Sequence, residues 1–240
     1  MMFQTEDGLA VPAVTAEQMR EVDRIAVDEF GLGILQMMEN AGRNLARNVQ
    51  DMLAGDRGDV TILAGCGGNG GGGLCCARHL HNRRFNVWIV LNRDAARLKG
   101  AARNQLQILQ AAGVEPVSPA RTEEVLRRAQ IVVDAIIGYS LRGAPRGRAE
   151  QLIDLCNQHA TRVLSLDVPS GLDATTGEAP GSVIRPDRTL TLALPKTGLQ
   201  RVPGELVVAD IGIPPEVFHR LGLRPGPIFK ERYWVHLKGA

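Results

Sequence analysis

The spacing of apolar residues changes period along this chain. Met19, Val22, Ile25 and Ala26 recur at helical spacing. Thr15, with Gln18 three positions on, has the residue pattern of a capping box. A helix is therefore predicted to start after Thr15 and to break at Gly31 and Gly33. Met38, Ala41, Leu45 and Val49 form a second apolar stripe, which predicts a longer helix over 35–52 that ends in the stretch 55–58.

From Val60 the pattern becomes a series of short, near-continuous apolar runs. Strands are predicted over 60–64, 85–91, 131–137, 162–166, 189–194 and 206–209, with helices over 74–81, 100–112, 122–129 and 149–158. Strands that alternate with helices imply βαβ units and a parallel sheet. Strands that are apolar on both faces imply helices packed on both sides. The expected fold is α/β, a Rossmann-like three-layer αβα sandwich with a mostly parallel central sheet. No repeat or long linker divides the chain, so one domain is expected over 1–240, with its core at about 15–214. The Pro- and Gly-bearing tail after Pro214 is expected to be loosely attached.

Composition narrows the function classes. A net charge of +2 over 240 residues argues against a nucleic-acid binder, which would carry a basic stripe. No apolar run approaches the roughly 20 residues of a membrane helix. The first residues lack the basic and apolar regions of a leader peptide, so a cytoplasmic address is the simplest expectation. Cys66, Cys75, Cys76 and Cys156 form no CxxC pair, and neither a disulfide framework nor a zinc site follows. His79 and His81 are two apart, so a helix directs them to different faces.

Three stretches could carry chemistry. Gly65-Cys66-Gly67-Gly68-Asn69-Gly70-Gly71-Gly72-Gly73 follows a predicted strand and precedes a predicted helix. Backbone N–H groups and a helix N-terminus there suit an anion such as a phosphate. Gly65, Gly67 and Gly70 also satisfy G-x-G-x-x-G. Asp134 lies inside an apolar run, where a carboxylate is costly unless paired or liganded. Asp167-Val168-Pro169-Ser170-Gly171-Leu172-Asp173 follows the fourth strand, at the sheet edge where parallel α/β sheets bind ligands. Asp167 is thus placed for acid–base work.

With Met37-Met38-Glu39-Asn40-Ala41-Gly42-Arg43 and Leu194-Pro195-Lys196-Thr197-Gly198, these stretches resemble the YjeF N-terminal domain family, block by block and in order from about Thr15 to Pro214. Its best-known members are NAD(P)H-hydrate epimerases. The resemblance implies an isomerase of nicotinamide nucleotide repair that interconverts the R and S forms of hydrated NADH or NADPH. It implies a K+ site at Asn69, Asp134 and Ser170; oxygen donors suit such a hard cation. It implies substrate contacts at Gly68, Asn69, Gly70, Gly71 and Gly72, and at Gly138, Tyr139, Ser140, Leu141, Arg142, Gly143 and Ala144. It makes Asp167 the catalytic or substrate-contacting carboxylate. It also suggests a homodimer through the two N-terminal helices, and a separate dehydratase in the same pathway, because the kinase-like dehydratase domain of some members is not in this sequence.

The sequence departs from the family in two neighbouring loops. The usual glycine loop reads G-x-G-N-N-G-G-D-G; Gly68 stands for the first Asn here and Gly72 for the Asp. Tyr139 and Ser140 stand for the usual Thr and Gly. These changes leave open a non-catalytic module that binds a ligand or protein on the same fold. G-x-G-x-x-G by itself leaves open an NAD(P)-dependent oxidoreductase, with Asp94 as the ribose-binding acid.

Overall fold

The computed structural model describes residues 1–239. The predicted capping box is present: the Thr15 hydroxyl accepts from Gln18 N and the Gln18 side chain accepts from Thr15 N, opening helix α1 (Ala16–Arg24). A single π-helical turn, Ile25–Glu29, extends it. Helix α2 (Ile34–Met52) buries the predicted stripe Met38, Ala41, Leu45 and Val49.

The expected sandwich forms. Strands β3 (Asp59–Ala64), β4 (Asn86–Leu91), β5 (Ile131–Ala135), β6 (Val163–Leu166), β7 (Arg188–Leu192) and β8 (Glu205–Ala209) are parallel and lie in the order β8-β7-β6-β5-β3-β4. Helices α3 (Gly68–His81) and α4 (Gly100–Ala111) pack with α2 on one face, over Val60, Ile62, Ile131 and Val133. Helices α5 (Thr122–Arg128) and α6 (Arg148–His159) pack on the other, over Leu63, Val90 and Val132. The alternation of 60/62 and 63 between faces is the two-residue period of a strand buried on both sides.

Two expectations are corrected. The tail after Pro214 is not loosely attached. Helix α7 (Pro215–His219) buries Val217 and Phe218, and β9 (Trp234–Gly239) pairs antiparallel with β8. On its other side β9 pairs with β1 (Met2–Thr5), which carries β2 (Ala10–Pro12), so the described residues form a nine-stranded sheet with an antiparallel edge. Phe3, Val11, Val235 and Leu237 extend the buried core beyond both ends of the range 15–214. The other correction concerns the glycine run, of which only Gly65–Gly67 is loop. Gly68 to Gly73 form the first turns of α3, starting six residues before the predicted helix.

Four glycines in succession disfavour a helix by roughly 1 kcal/mol each relative to alanine. Tertiary contact explains their presence. A Cβ at Gly71 would lie 2.5 Å from Met38 Cε, and one at Gly73 2.6 Å from the Ala135 Cβ. One at Gly42 on α2 would lie 2.5 Å from Cys75 Sγ on α3. The glycines let α3 lie against both the sheet and α2 at backbone distance.

Candidate active site

The polypeptide runs from β3 to β4 in one direction across the sheet and reaches β5 on the other side of β3. Strand order therefore reverses between β3 and β5, and the loops leaving their carboxyl ends diverge to form a crevice. Gly65 closes the base of this crevice. Its N–H bonds the Ala135 carbonyl at 3.0 Å, and a Cβ there would collide with the Ile136 carbonyl.

Above the crevice is a cavity of about 300 Å³. Gly68, Asn69 and Gly72 of α3, Gly138, Tyr139 and Ser140 after β5, and Asp167 after β6 line it. The first helices complete the wall with Asp23, Ile34, Met37, Met38 and Ala41. Seven of the fifteen residues picked out from the sequence thus converge on one cavity. Gly70 and Gly71 do not line the cavity; the first faces Gly65 backbone and the second Met38. Leu141, Arg142, Gly143 and Ala144 also lie outside its lining.

Asp167 has a left-handed backbone, φ 69°. Aspartate tolerates this region better than most residues, yet such a conformation persists only where its surroundings over-determine it. Here they do. Asp167 N donates to the Leu190 carbonyl at 2.7 Å, and its Oδ2 accepts from Tyr139 N at 3.2 Å. Its Oδ1 takes the ammonium of Lys196, which also donates to the Leu192 carbonyl at 2.9 Å. Lys196 and Asp167 are 1% and 3% exposed, so this ion pair lies inside the protein. A long-range partnership between residues 29 apart leaves no local trace in sequence, and Lys196 was not among the predicted site residues.

Asp134 and Ser170 are not among the residues that line the cavity. Asp134 is fully buried on the α5–α6 face of the sheet, beside Ser165 of β6. Ser165 Oγ donates to its Oδ2 at 2.8 Å, and Ser170 contributes its N–H at 2.8 Å and its hydroxyl at 2.5 Å. Ser170 Oγ in turn accepts from Ile137 N at 2.9 Å, which ties the β6 loop to the loop of Gly138 and Tyr139. Burial raises the Asp134 carboxyl above its ordinary value, opposed by hydrogen bonds from Ser170, Ser165 and Ile136; no cationic side chain among the described residues assists them.

The site also includes Asp23, on the inner side of α1, which sequence reasoning missed. Tyr139 Oη donates to Asp23 Oδ2 at 2.5 Å. Burial raises this carboxyl too, and the Tyr139 hydrogen bond and the Lys196 charge oppose the rise.

Residues 34–198 match the family described as YjeF-related protein N-terminus. A Dehalogenimonas lykanthroporepellens protein named NAD(P)H-hydrate epimerase is 50% identical, the match covering 93% of this chain and 91% of that one. The chain belongs to the YjeF-related N-terminal family. Another NAD(P)H-hydrate epimerase, from Rhodopirellula baltica, is 34% identical over 90% of each chain. A Moorella thermoacetica protein named bifunctional NAD(P)H-hydrate repair enzyme Nnr is 38% identical over 84% of this chain and 40% of its own length. The crystal structure of yeast ynu0, YNL200c, superposes with a TM-score of 0.85 at 23% identity, over 94% of this chain and 100% of that one. It shares the fold.

Within this family fold, other chemistry-bearing residues have structural employment. Asp94 caps a 3₁₀ turn, its Oδ1 accepting from Ala96 N at 2.9 Å. Glu39, Cys75 and His79 lie close together where α2 meets α3. Arg78 donates to Glu39, and His79 Nε2 is 2.8 Å from the same carboxylate. Burial pushes the Cys75 thiol up to about 12. The cluster clamps two helices together.

Proposed function

We propose that the chain epimerises hydrated NADH and NADPH, with Asp167 moving the proton. The observation that carries this reading is Asp167 itself: a carboxylate held in a strained backbone conformation, paired with a buried lysine, and facing a cavity at the switch point of the sheet. The names of its relatives supply the substrate.

The chemistry asks little of the protein. The substrate hydroxyl sits on the carbon beside the ring nitrogen, as a hemiaminal. The nitrogen lone pair expels it once its oxygen is protonated, and water returns to the opposite face. A positioned acid–base group contributes typically 10²–10⁴-fold to such a step. Asn69, Gly68 and Gly72 present a helix N-terminus to the cavity, a suitable seat for a substrate phosphate. Tyr139 and the methionines of α2 present apolar surface for the rings.

The donors at Asn69, Asp134 and Ser170 fit a K+ ion. Asp134 is a buried carboxylate with only neutral partners, a charge that a cation would balance; the buried Asn69 Nδ2, without a partner among the described residues, is an N–H donor, so Asn69 would offer the ion its Oδ1. K+ there would neutralise Asp134 and fix the loops that carry Asn69 and Ser170. This reading implies a cytoplasmic enzyme that serves a separate dehydratase.

The test is epimerisation of purified protein with hydrated NADPH of the epimer a dehydratase cannot use, coupled to an ATP-dependent dehydratase, with and without K+. Faster loss of that epimer than occurs spontaneously is the expected result. Folded protein that binds the nucleotide without accelerating its loss would favour a binding module, the reading that Tyr139 and Gly72 in the cavity wall leave open.

A further inference from the structure

We propose that Asp23 is a second acid–base group of this site, acting on the opposite face of the substrate carbon from Asp167. The inference rests on the epimerase reading above and gives it a proton donor. Epimerisation through loss and return of water needs a proton delivered on one face and another removed on the other. A single carboxylate must do both, or two must share the work.

Two carboxylates line the cavity, and one residue lies between them. Tyr139 donates its backbone N–H to Asp167 Oδ2 at 3.2 Å and its hydroxyl to Asp23 Oδ2 at 2.5 Å. Its ring therefore spans the gap and holds the two groups apart. Their environments differ. Asp167 accepts from the Lys196 ammonium and from Tyr139 N, with Leu192 N at 3.4 Å, an arrangement built for an anion. Asp23 comes from a different element and has one hydrogen-bond donor, leaving Oδ1 unused. Its burial favours the neutral acid. One carboxylate is tied to a buried ammonium and the other has a single hydroxyl donor; two carboxylates in such unlike surroundings can divide acid and base roles.

The steps balance. In one direction, protonated Asp23 delivers its proton to the substrate hydroxyl oxygen. The carbon–oxygen bond breaks, water leaves, and the ring-nitrogen lone pair forms a carbon–nitrogen double bond. Water then adds to the other face of that carbon. Asp167 takes the proton this water releases, and the π electrons return to nitrogen. The reverse direction exchanges the roles. Proton exchange with solvent restores the starting protonation states between turnovers. Tyr139 is a positioning residue.

Oxygen exchange separates this from a structural role for Asp23. In H₂¹⁸O, Asp23→Asn and Asp167→Asn are each expected to lose epimerisation by 100-fold or more. Each should still exchange the hydroxyl oxygen of one epimer with retention, and the spared epimer should differ between the two variants. The groups facing Asp23 are Tyr139, Lys196 and Asp167, with Arg20 over the Tyr139 ring at 6.0 Å. Tyr139→Phe removes the hydrogen bond that lowers the Asp23 carboxyl. Activity that requires protonated Asp23 falls as pH rises through its titration, so that limb should move to higher pH in Tyr139→Phe. Unchanged epimerisation by Asp23→Asn, the same spared epimer in both variants, or an unmoved pH limb would overturn the proposal and leave the epimerase reading standing. An inactive, folded wild type would overturn both.

Discussion

The ammonium of Lys196 donates to Asp167 Oδ1 in the interior, and the same ammonium bonds the Leu192 carbonyl at the end of β7. One side chain thus fixes the carboxylate and the strand end that turns beside it. Breaking a buried pair by removing one partner costs about 3–5 kcal/mol, because the other charge is left uncompensated. Lys196→Met is expected to lower unfolding free energy by about that amount in urea titration. Lys196→Met with Asp167→Asn should recover more than half of it, and a double-mutant cycle that shows simple additivity would contradict the coupling.

Gly65 and Gly68 make opposite predictions three residues apart. A Cβ at Gly65 runs into the Ile136 carbonyl, whereas nothing lies within 4 Å of one at Gly68. Gly65→Ala should destabilise by about 3 kcal/mol, the upper end of overpacking costs. Gly68→Ala, in the first turn of α3, should stabilise by about 0.5–1 kcal/mol. Thermal melts of the two variants check the sign of each.

Stability should respond to K+ through Asp134. Its folded-state carboxyl is raised, so the folded protein holds a proton that the unfolded chain releases first. Stability is then lost as pH climbs from about 4 through the folded titration. K+ bound beside the carboxylate would oppose that loss. The wild type is expected to melt higher at pH 7.5 in KCl than in an equal concentration of a bulky organic cation. Asp134→Asn should melt at one temperature in both salts.

Thiol chemistry should discriminate among the cysteines. Cys66 is partly exposed, whereas Cys75, Cys76 and Cys156 are buried. With Cys75 pushed up to about 12 by burial first and the Glu39 charge second, almost none of it is thiolate at pH 8. Iodoacetamide at that pH should modify Cys66 alone in the native protein and all four in denaturant, as read by intact-mass spectrometry.

Much of this architecture was legible because its signals are local. The Thr15–Gln18 capping box, the α2 stripe and the six parallel strands each carry their pattern within a few residues. The turn of direction between β3 and β5 then brings Asn69, Gly138 and Asp167 to one crevice. What escaped is long-range. β9 is six residues long and carries Trp, His and Lys; it is a strand because β8 and β1 flank it. Gly68 to Gly73 read as loop on propensity, and packing against α2 and the sheet overrides that preference. Asp23 and Lys196 gain meaning only from Tyr139 and Asp167, 116 and 29 residues away.

The glycine-built start of α3 sets one wall of the cavity at a fixed depth and leaves the facing wall to side chains. Behind the α3 wall, Gly70 lies against the Gly65 backbone and Gly73 against Ala135 with no room for a side chain, so the helix start that presents Gly68, Asn69 and Gly72 keeps one distance from the sheet. On the other side stand Met37, Met38, Tyr139 and Ser140, whose size and polarity can change without disturbing a helix axis. Retuning what enters this cavity is therefore a problem in the side chains of the facing wall, worked against a helix start that stays in place.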